Sequence, residues 1–397
     1  MRLLALAALA LVPGAAAATP GVDASTIVLG TTAPFSGPET AYEPVVLGAK
    51  AYFDYVNAHG GVFGRKVVLK IEDDGYDPSR TVQATRKLVE QDQVLAMFDT
   101  VGTEEALAVR EYLNQRQVPQ LFVGSGAVAI ARETKRYPWT LPFLPSFVGE
   151  GALYGRQIAA SRPKATIAVL YEDSEYGREL LQGLKQGLGK RAGLVAATQT
   201  YEVTDIDLSS QIQSLKASGA DTLVLFALPK QAVQAFVSVA KLGWRPQEYV
   251  SSVSIDPIVM KIARLSAGPQ TGEGAISSAF LYDPTNPANA KLPGVKLYRS
   301  ILKRYLPGSD PTAVAHLYGM AVAYTMVNVL RRSGRNPTRA SVLRAATHLS
   351  LARNPFMLGD IRLQTSPANV FPIRSSHLVR FHGGYWRIQS KVYRISG

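Results

Sequence analysis

From Ser25 onward, short β-branched or apolar runs alternate with segments of helical period, and this alternation constrains the fold more than any other feature of the chain. Ile27 to Leu29 predicts a strand. After Ser36-Gly37-Pro38 a helix is expected to about Asn57, with Val45, Ala49, Tyr52 and Val56 on one face and a stop at Gly60-Gly61. Val67 to Ile71, Val94 to Phe98 and Gln120 to Val123 read as the next strands. The helices between them run from Asp77-Pro78, a cap followed by a first-turn proline, to about Gln91, and from Glu104 to Asn114. Such alternation means a parallel sheet covered by helices. A proline-rich break at Tyr137 to Phe147 precedes a second round. Thr166 to Tyr171, Val195 to Tyr201, Thr222 to Phe226 and Tyr249 to Ser252 are its strands; Tyr176 to Leu188, Leu208 to Ala217 and Lys230 to Leu242 are its helices. Two doubly wound α/β lobes fit this better than one large sheet. Beyond the Pro/Asn-rich stretch Tyr282 to Lys291, helices are expected over Leu297 to Tyr305 and His316 to Arg331, then a hairpin turning at Gly383-Gly384.

The N-terminus predicts a compartment. Arg2, an apolar run from Leu3 to Val12 and the small residues Ala16-Ala17-Ala18 read as a secretory signal peptide over 1–18, with the mature chain starting near Thr19. The run is too short to cross a bilayer about 30 Å thick, and no later segment reaches the ~20 apolar residues that a spanning helix needs. A soluble periplasmic protein that is not membrane-embedded is the expectation. The chain has no cysteine, which excludes disulfides, zinc-thiolate sites and thiol nucleophiles, and argues against a lipid anchor just after the cleavage site.

The chain has 43 Lys and Arg against 30 Asp and Glu, a formal charge of +13. These basic residues are dispersed over helix surfaces without interleaved aromatics, so a nucleic-acid partner is not expected. A positive field would speed encounter with an anionic solute.

Tests for chemistry exclude more than they find. The five histidines do not pair with carboxylates at metal-ligand spacing, and HExxH, Walker A and GxSxG patterns are absent, so neither an enzyme nor a metal or cofactor site is expected. Asp73, Asp74 and Asp77 read as a capped turn. Gly124 to Ala129 formally matches G-x-G-x-x-A, but its place late in the first lobe favours a tight strand-to-helix turn. Thr103 lies at a helix start after the third strand, and Ser125 takes the same place one unit later. Ligands of open α/β sheets bind at the carboxyl ends of strands, where helix starts offer free N–H groups. Taken alone, such a threonine is more often just an N-cap; two hydroxyls with two amide-rich turns, Thr103 and Ser125, make a cradle for a carboxylate.

Five stretches, in order and spacing, carry a resemblance. They are Pro34-Phe35-Ser36-Gly37-Pro38, Asn57-Ala58-His59-Gly60-Gly61, Asp73-Asp74-Gly75-Tyr76-Asp77-Pro78, Val118-Pro119-Gln120-Leu121-Phe122 and Tyr176-Gly177. The chain resembles the substrate-binding proteins of branched-chain amino-acid ABC transporters, of the leucine/isoleucine/valine-binding type, from Ile27 to about Arg362. The resemblance implies a type I periplasmic binding clamshell whose chain crosses between lobes three times. Lobe 1 would comprise 25–144 and 278–353, and lobe 2 would comprise 145–277 and 354–397, with hinges near Pro142 to Ser146, Gly272 to Ala279 and Asn354 to Asp360. It implies ligand contacts from Thr103 and the turn Gly124, Ser125, Gly126, a pocket wall at Tyr42, a closing Tyr176, and further contacts at Ser36, Leu228 and Ser254. The acid that would pair a ligand ammonium falls near Val253 or Ser254, where none stands; Asp256 is the substitute if the loop is shifted. A small carboxylate-bearing ligand is therefore expected, an amino acid or an organic or aromatic acid, and the missing acid points towards one lacking the α-amino group, or towards an amide. Partners would be that small molecule and a permease, with the chain a monomer; a sensor subunit and an exported hydrolase are the alternatives.

Overall fold

The structure, a computed structural model, describes residues 19–395; the expected signal peptide lies outside the described residues. Five parallel strands build the first sheet: β1 (Thr26–Ala33), β2 (Lys66–Asp73), β3 (Ala96–Phe98), β4 (Gln120–Val123) and β5 (Thr140–Pro142), in the order β2-β1-β3-β4-β5. Its crossovers are α1 (Glu43–Ala58), α2 (Pro78–Glu90), α3 (Thr103–Gln115) and the short α4 (Val128–Ala131). Val45, Ala49, Tyr52 and Val56 of α1 are all buried. Asp77 caps α2 by accepting from the Ser79 and Arg80 amides at 2.7 and 3.2 Å.

The chain then enters a second sheet through α5 (Phe147–Ser161), β6 (Ile167–Glu172), α6 (Glu175–Leu188), β7 (Val195–Tyr201), α7 (Ser209–Ala217), β8 (Thr222–Phe226), α8 (Pro229–Lys241), β9 (Gln247–Val250), α9 (Pro257–Ala267) and β10 (Ile276–Ala279). The order β7-β6-β8-β9-β10 repeats that of the first sheet, and both place a topological switch point where their strand order reverses. Next, α10 (Pro293–Tyr305), α11 (Val314–Arg332), α12 (Arg339–Thr347) and the two-stranded β11 (Ser350–Leu351) and β12 (Leu363–Gln364) return to the first lobe. Finally β13 (Ser375–His382), β14 (Tyr385–Ile388) and β15 (Tyr393–Arg394) extend the second sheet in antiparallel sense. Gly383 and Gly384 turn the β13–β14 hairpin with φ of +63° and +96°, the backbone such a two-residue turn needs.

Two helix pairs hold the lobes together by close approach. A Cβ on Gly48 or Gly319 would lie 2.2 or 1.9 Å from a carbonyl oxygen of the facing helix, which locks α1 onto α11. In the second lobe Gly151 and Gly155 of α5 face Gly183 and Gly187 of α6, each equally tight against opposing backbone.

Two crossings differ from expectation. Residues 276–279 are a sheet strand, so the second crossing begins after Ala279 rather than across Gly272 to Ala279. The third does not lie at 354–360: Phe356, Met357, Ile361, Leu363 and Ile373 are buried in the first-lobe core, and the chain rejoins the second sheet only at Ser375. The reason is apolar demand in the first lobe: Phe356 packs edge-on against Tyr52 of α1 and Tyr324 of α11, and Asn354 donates to the Ala321 carbonyl of α11.

Candidate functional site

A cleft of about 430 Å³ lies where the carboxyl ends of both sheets meet. The first-lobe wall is the start of α3. Gly102, at φ 109°, turns the chain into the helix, and no side chain caps it. Thr103 and Ser125 are brought together, their hydroxyls 2.7 Å apart, and the Ser125 hydroxyl accepts from the Ala127 amide at 3.1 Å. Thr103 and Gly124 line the cleft, with Ser125 buried directly behind them. Gly126 is not in the wall; it packs under the Pro145 carbonyl, where a Cβ would meet that oxygen at 2.0 Å. The G-x-G-x-x-A match is a tight turn into the four-residue α4.

Tyr42 lines the cleft and stacks on Tyr76, their ring centroids 6.1 Å apart. From the other lobe Tyr176 stands edge-on to Phe147 at 4.9 Å and donates to the Ala227 carbonyl at 3.3 Å. Leu228 also lines the cleft, its amide donating to the Tyr201 hydroxyl at 2.9 Å.

Two expected contacts stand apart. Ser36 donates to the Asp73 carboxylate at 2.6 Å, outside the cleft, because the strand-end acid organises that loop. Ser254 is fully buried and donates to the Ala227 carbonyl at 2.6 Å, leaving its neighbours Ser252, Val253 and Ile255 to face the cleft. Asp256 does reach the cleft, but its two oxygens accept from the Ile258 and Ala315 amides, each at 3.0 Å. Burial pushes its carboxyl up to about 6.

That Asp256 contact crosses between lobes, and two more do the same. Glu104 accepts from the Glu175 amide at the start of α6 at 2.9 Å. Glu179 of α6 accepts from the Val128 and Ala129 amides of α4 at 2.6 and 2.8 Å. In each case a carboxylate of one lobe satisfies helix-start N–H groups of the other.

Of the acids in the cleft, sequence reasoning named Asp256 and missed Glu105 and Glu172. Glu105, in the first turn of α3, lines it and is 2% exposed, with Oε2 lacking any partner. Burial raises its carboxyl well above the usual range. Glu172, at the carboxyl end of β6, also lines the cleft; burial pushes it up to about 7, and the Tyr201 hydroxyl reaches it at 3.3 Å. Behind the wall Glu39 is fully buried, with both oxygens unpartnered and its carboxyl pushed up to about 8 by burial. The signal for Glu172 was present: the strand-end rule that singled out Thr103 applies equally to the first strand of the second lobe. Among the described residues no group of three or more metal-ligating side chains occurs, and no helix is long and apolar enough to cross a membrane.

The periplasmic binding protein family model matches residues 26–381. The chain belongs to that family. It is 28% identical over 262 residues to the Leu/Ile/Val-binding protein homolog 7 of Brucella suis, a match that covers 63% of this chain and 63% of the relative, so less than two thirds of the relative's length is spanned. Among solved structures, it superposes on a branched-chain amino-acid ABC transporter protein of Thermus thermophilus with bound valine at a TM-score of 0.82 and 15% identity, covering 93% of this chain and 97% of that one. A solute-binding protein of an ABC transporter from Rhodopseudomonas palustris in complex with 3,4-dihydroxybenzoic acid gives 0.78 at 16% identity, covering 94% and 98%. These likenesses carry the type I periplasmic binding fold.

Proposed function

We propose that this chain is the exported, monomeric solute-binding subunit of an ABC importer, which captures a small carboxylate-bearing ligand between its lobes and hands it to a membrane permease. The observation that carries the reading is the uncapped start of α3, with Thr103 and Ser125 beside it, opening on a cleft between two lobes. Free N–H groups at a helix start attract an anion. The ligands in the two structural neighbours, valine and 3,4-dihydroxybenzoic acid, both carry a carboxylate. Tyr42, Gly124, Tyr176 and Leu228 would enclose the body of the ligand, with no covalent step. A ligand touching both walls binds the closed state better than the open one and shifts the population towards it.

A thermal-shift screen against amino acids, aromatic and aliphatic acids, amides and dicarboxylates tests this, because a ligand of the native state raises the melting temperature. A panel in which amides or neutral solutes alone stabilise the protein overturns the carboxylate reading. Export is tested by sequencing the N-terminus of the mature chain from a periplasmic fraction, where Thr19 is expected near the start.

A further inference from the structure

The basic residues are less evenly spread than their helical placement suggests. Six arginines, and neither Asp nor Glu, stand between Asp310 and Asp360. Five of them, Arg331, Arg332, Arg335, Arg339 and Arg344, fall at the end of α11, in the turn after it and in α12. Folding brings Arg65 to the same place, where its guanidinium donates to the Arg335 carbonyl at 2.7 Å. Arg332, Arg344 and His348 share one surface hollow beside it. Among the described residues none of these side chains forms an ion pair. Arg65 also donates to the Asp23 carbonyl, but the Asp23 carboxylate is held by Ser25 and Thr26. Cations in the last turn of a helix favour its dipole, which accounts for Arg331 and Arg332 alone. Since α11 starts in the cleft wall at Val314 and Ala315, its 19 residues put this basic pole about 28 Å from the cleft.

An aromatic tip stands beside the arginines. Val62 and Arg65 exchange backbone hydrogen bonds of 2.8 and 3.0 Å, so Phe63 and Gly64 are the central pair of a tight turn, with φ of +51° and +83°. Asn-Gly or Gly-Gly is the ordinary pair for such a turn, and a phenylalanine there strains the backbone. Burial does not offset that strain: Phe63 is 41% exposed, the one exposed aromatic ring among the described residues, with the Arg335 guanidinium 5.5 Å from its centroid. A soluble polyanion would engage the arginines and leave the ring idle. A bilayer engages both, because an apolar ring enters the headgroup boundary while the cations around it meet lipid phosphates.

We propose that this pole docks on a bilayer bearing anionic phospholipid headgroups, with Phe63 entering the interface and Arg65, Arg332, Arg335 and Arg344 pairing with phosphates around it. The export read above would bring the chain to such a surface. The cleft, a helix length away, stays clear of the lipid and open to solute, whichever solute it takes.

Sedimentation tests it, with the purified protein mixed at about 0.1 M salt with vesicles of phosphatidylglycerol and phosphatidylcholine or of phosphatidylcholine alone. The anionic vesicles alone should carry the protein down, and about 1 M salt should release it. Each arginine near an anionic surface contributes roughly fivefold in affinity, so the combined Arg332→Gln, Arg335→Gln and Arg344→Gln variant should bind about thirtyfold more weakly or worse. Phe63→Asn should bind about fivefold more weakly while melting no lower than the parent, because Asn suits this turn. Phe63→Trp should show a blue shift in emission with the anionic vesicles and none with the neutral ones. Circular dichroism melting verifies that the triple variant is folded; Phe63→Asn decides if it is not. Equal binding to both kinds of vesicle, or binding to neither, overturns the proposal, as does a folded triple variant that binds like the parent. Vesicle binding indifferent to Phe63, with heparin bound equally by the parent and Phe63→Asn, makes the pole a polyanion surface and overturns the lipid assignment. The thermal-shift screen for solutes is untouched by any of these results, so the two readings fail separately.

Discussion

Asp73 and Glu172 are both acids at the carboxyl end of a parallel strand, one in each lobe, and they have opposite fates. Asp73 accepts from the Phe35, Ser36 and Gly75 amides and from the Ser36 hydroxyl, and these bonds hold it down at about 2 against the pull of its partial burial. Glu172 is 8% exposed and meets only hydroxyls and no backbone amide, Tyr201 at 3.3 Å with Ser174 beside it, and burial pushes it up to about 7. The first acid is consumed by the fold. The second retains hydrogen-bonding capacity that the fold does not use, and that surplus separates a binding group from a structural one more sharply than its position does.

The largest way to test this contrast is pH. Glu39, Glu172, Glu179 and Glu248 have folded-state values pushed by burial to about 8, 7, 7 and 8, all above the ~4.3 of an unfolded glutamate. The folded chain therefore binds more protons than the unfolded one, so stability is fully present below about pH 4 and is lost as pH rises through 7 to 8. Melting temperature should fall from pH 5 to pH 8 by the equivalent of a few kcal/mol; a flat profile breaks the assignment of buried acids. Asp73 has the opposite sign, its stabilisation present above the unfolded value and lost only as pH falls through about 2.

Asp73→Asn should accordingly cost about 1–2 kcal/mol at pH 7, read from a urea melt, because it removes charge-assisted bonds to three amides. Glu172→Gln should go the other way at pH 8, stabilising by about 1 kcal/mol while weakening ligand binding in the cleft, the trade expected of a residue kept for binding. A Glu172→Gln protein that melts below the parent would place this acid with Asp73. The smallest effect is expected of Ser36→Ala: since Ser36 serves Asp73 outside the cleft, ligand affinity measured by calorimetry should change less than twofold.

Much of the fold was legible because buried parallel strands and their helices write their periods plainly, as Val45, Ala49, Tyr52 and Val56 do. The helix Phe147–Ser161 was not, since Gly149, Gly151 and Gly155 argue against a helix on propensity alone. Only its contact with α6, which no local pattern announces, explains two of those glycines. The segment 354–373 was assigned to the wrong lobe because it packs through scattered apolar side chains without regular structure for most of its length. For the site, the pairing of Thr103 with Ser125 followed from the geometry of strand ends. Ser36 and Ser254 did not reach the cleft, because which way a hydroxyl turns is decided by its nearest acceptor, Asp73 or the Ala227 carbonyl, and not by its place along the chain.

The three carboxylates that meet helix starts across the lobes, Glu104, Glu179 and Asp256, also set how closure feels to the molecule. Each joins a charge to a dipole rather than to an opposite charge, and such attraction fades within about one helical turn. Little pull acts while the lobes stand apart, and all of it arrives over the last few ångströms. The clamshell then behaves as a catch that engages late rather than as a spring that draws steadily, and a half-shut form has little to hold it.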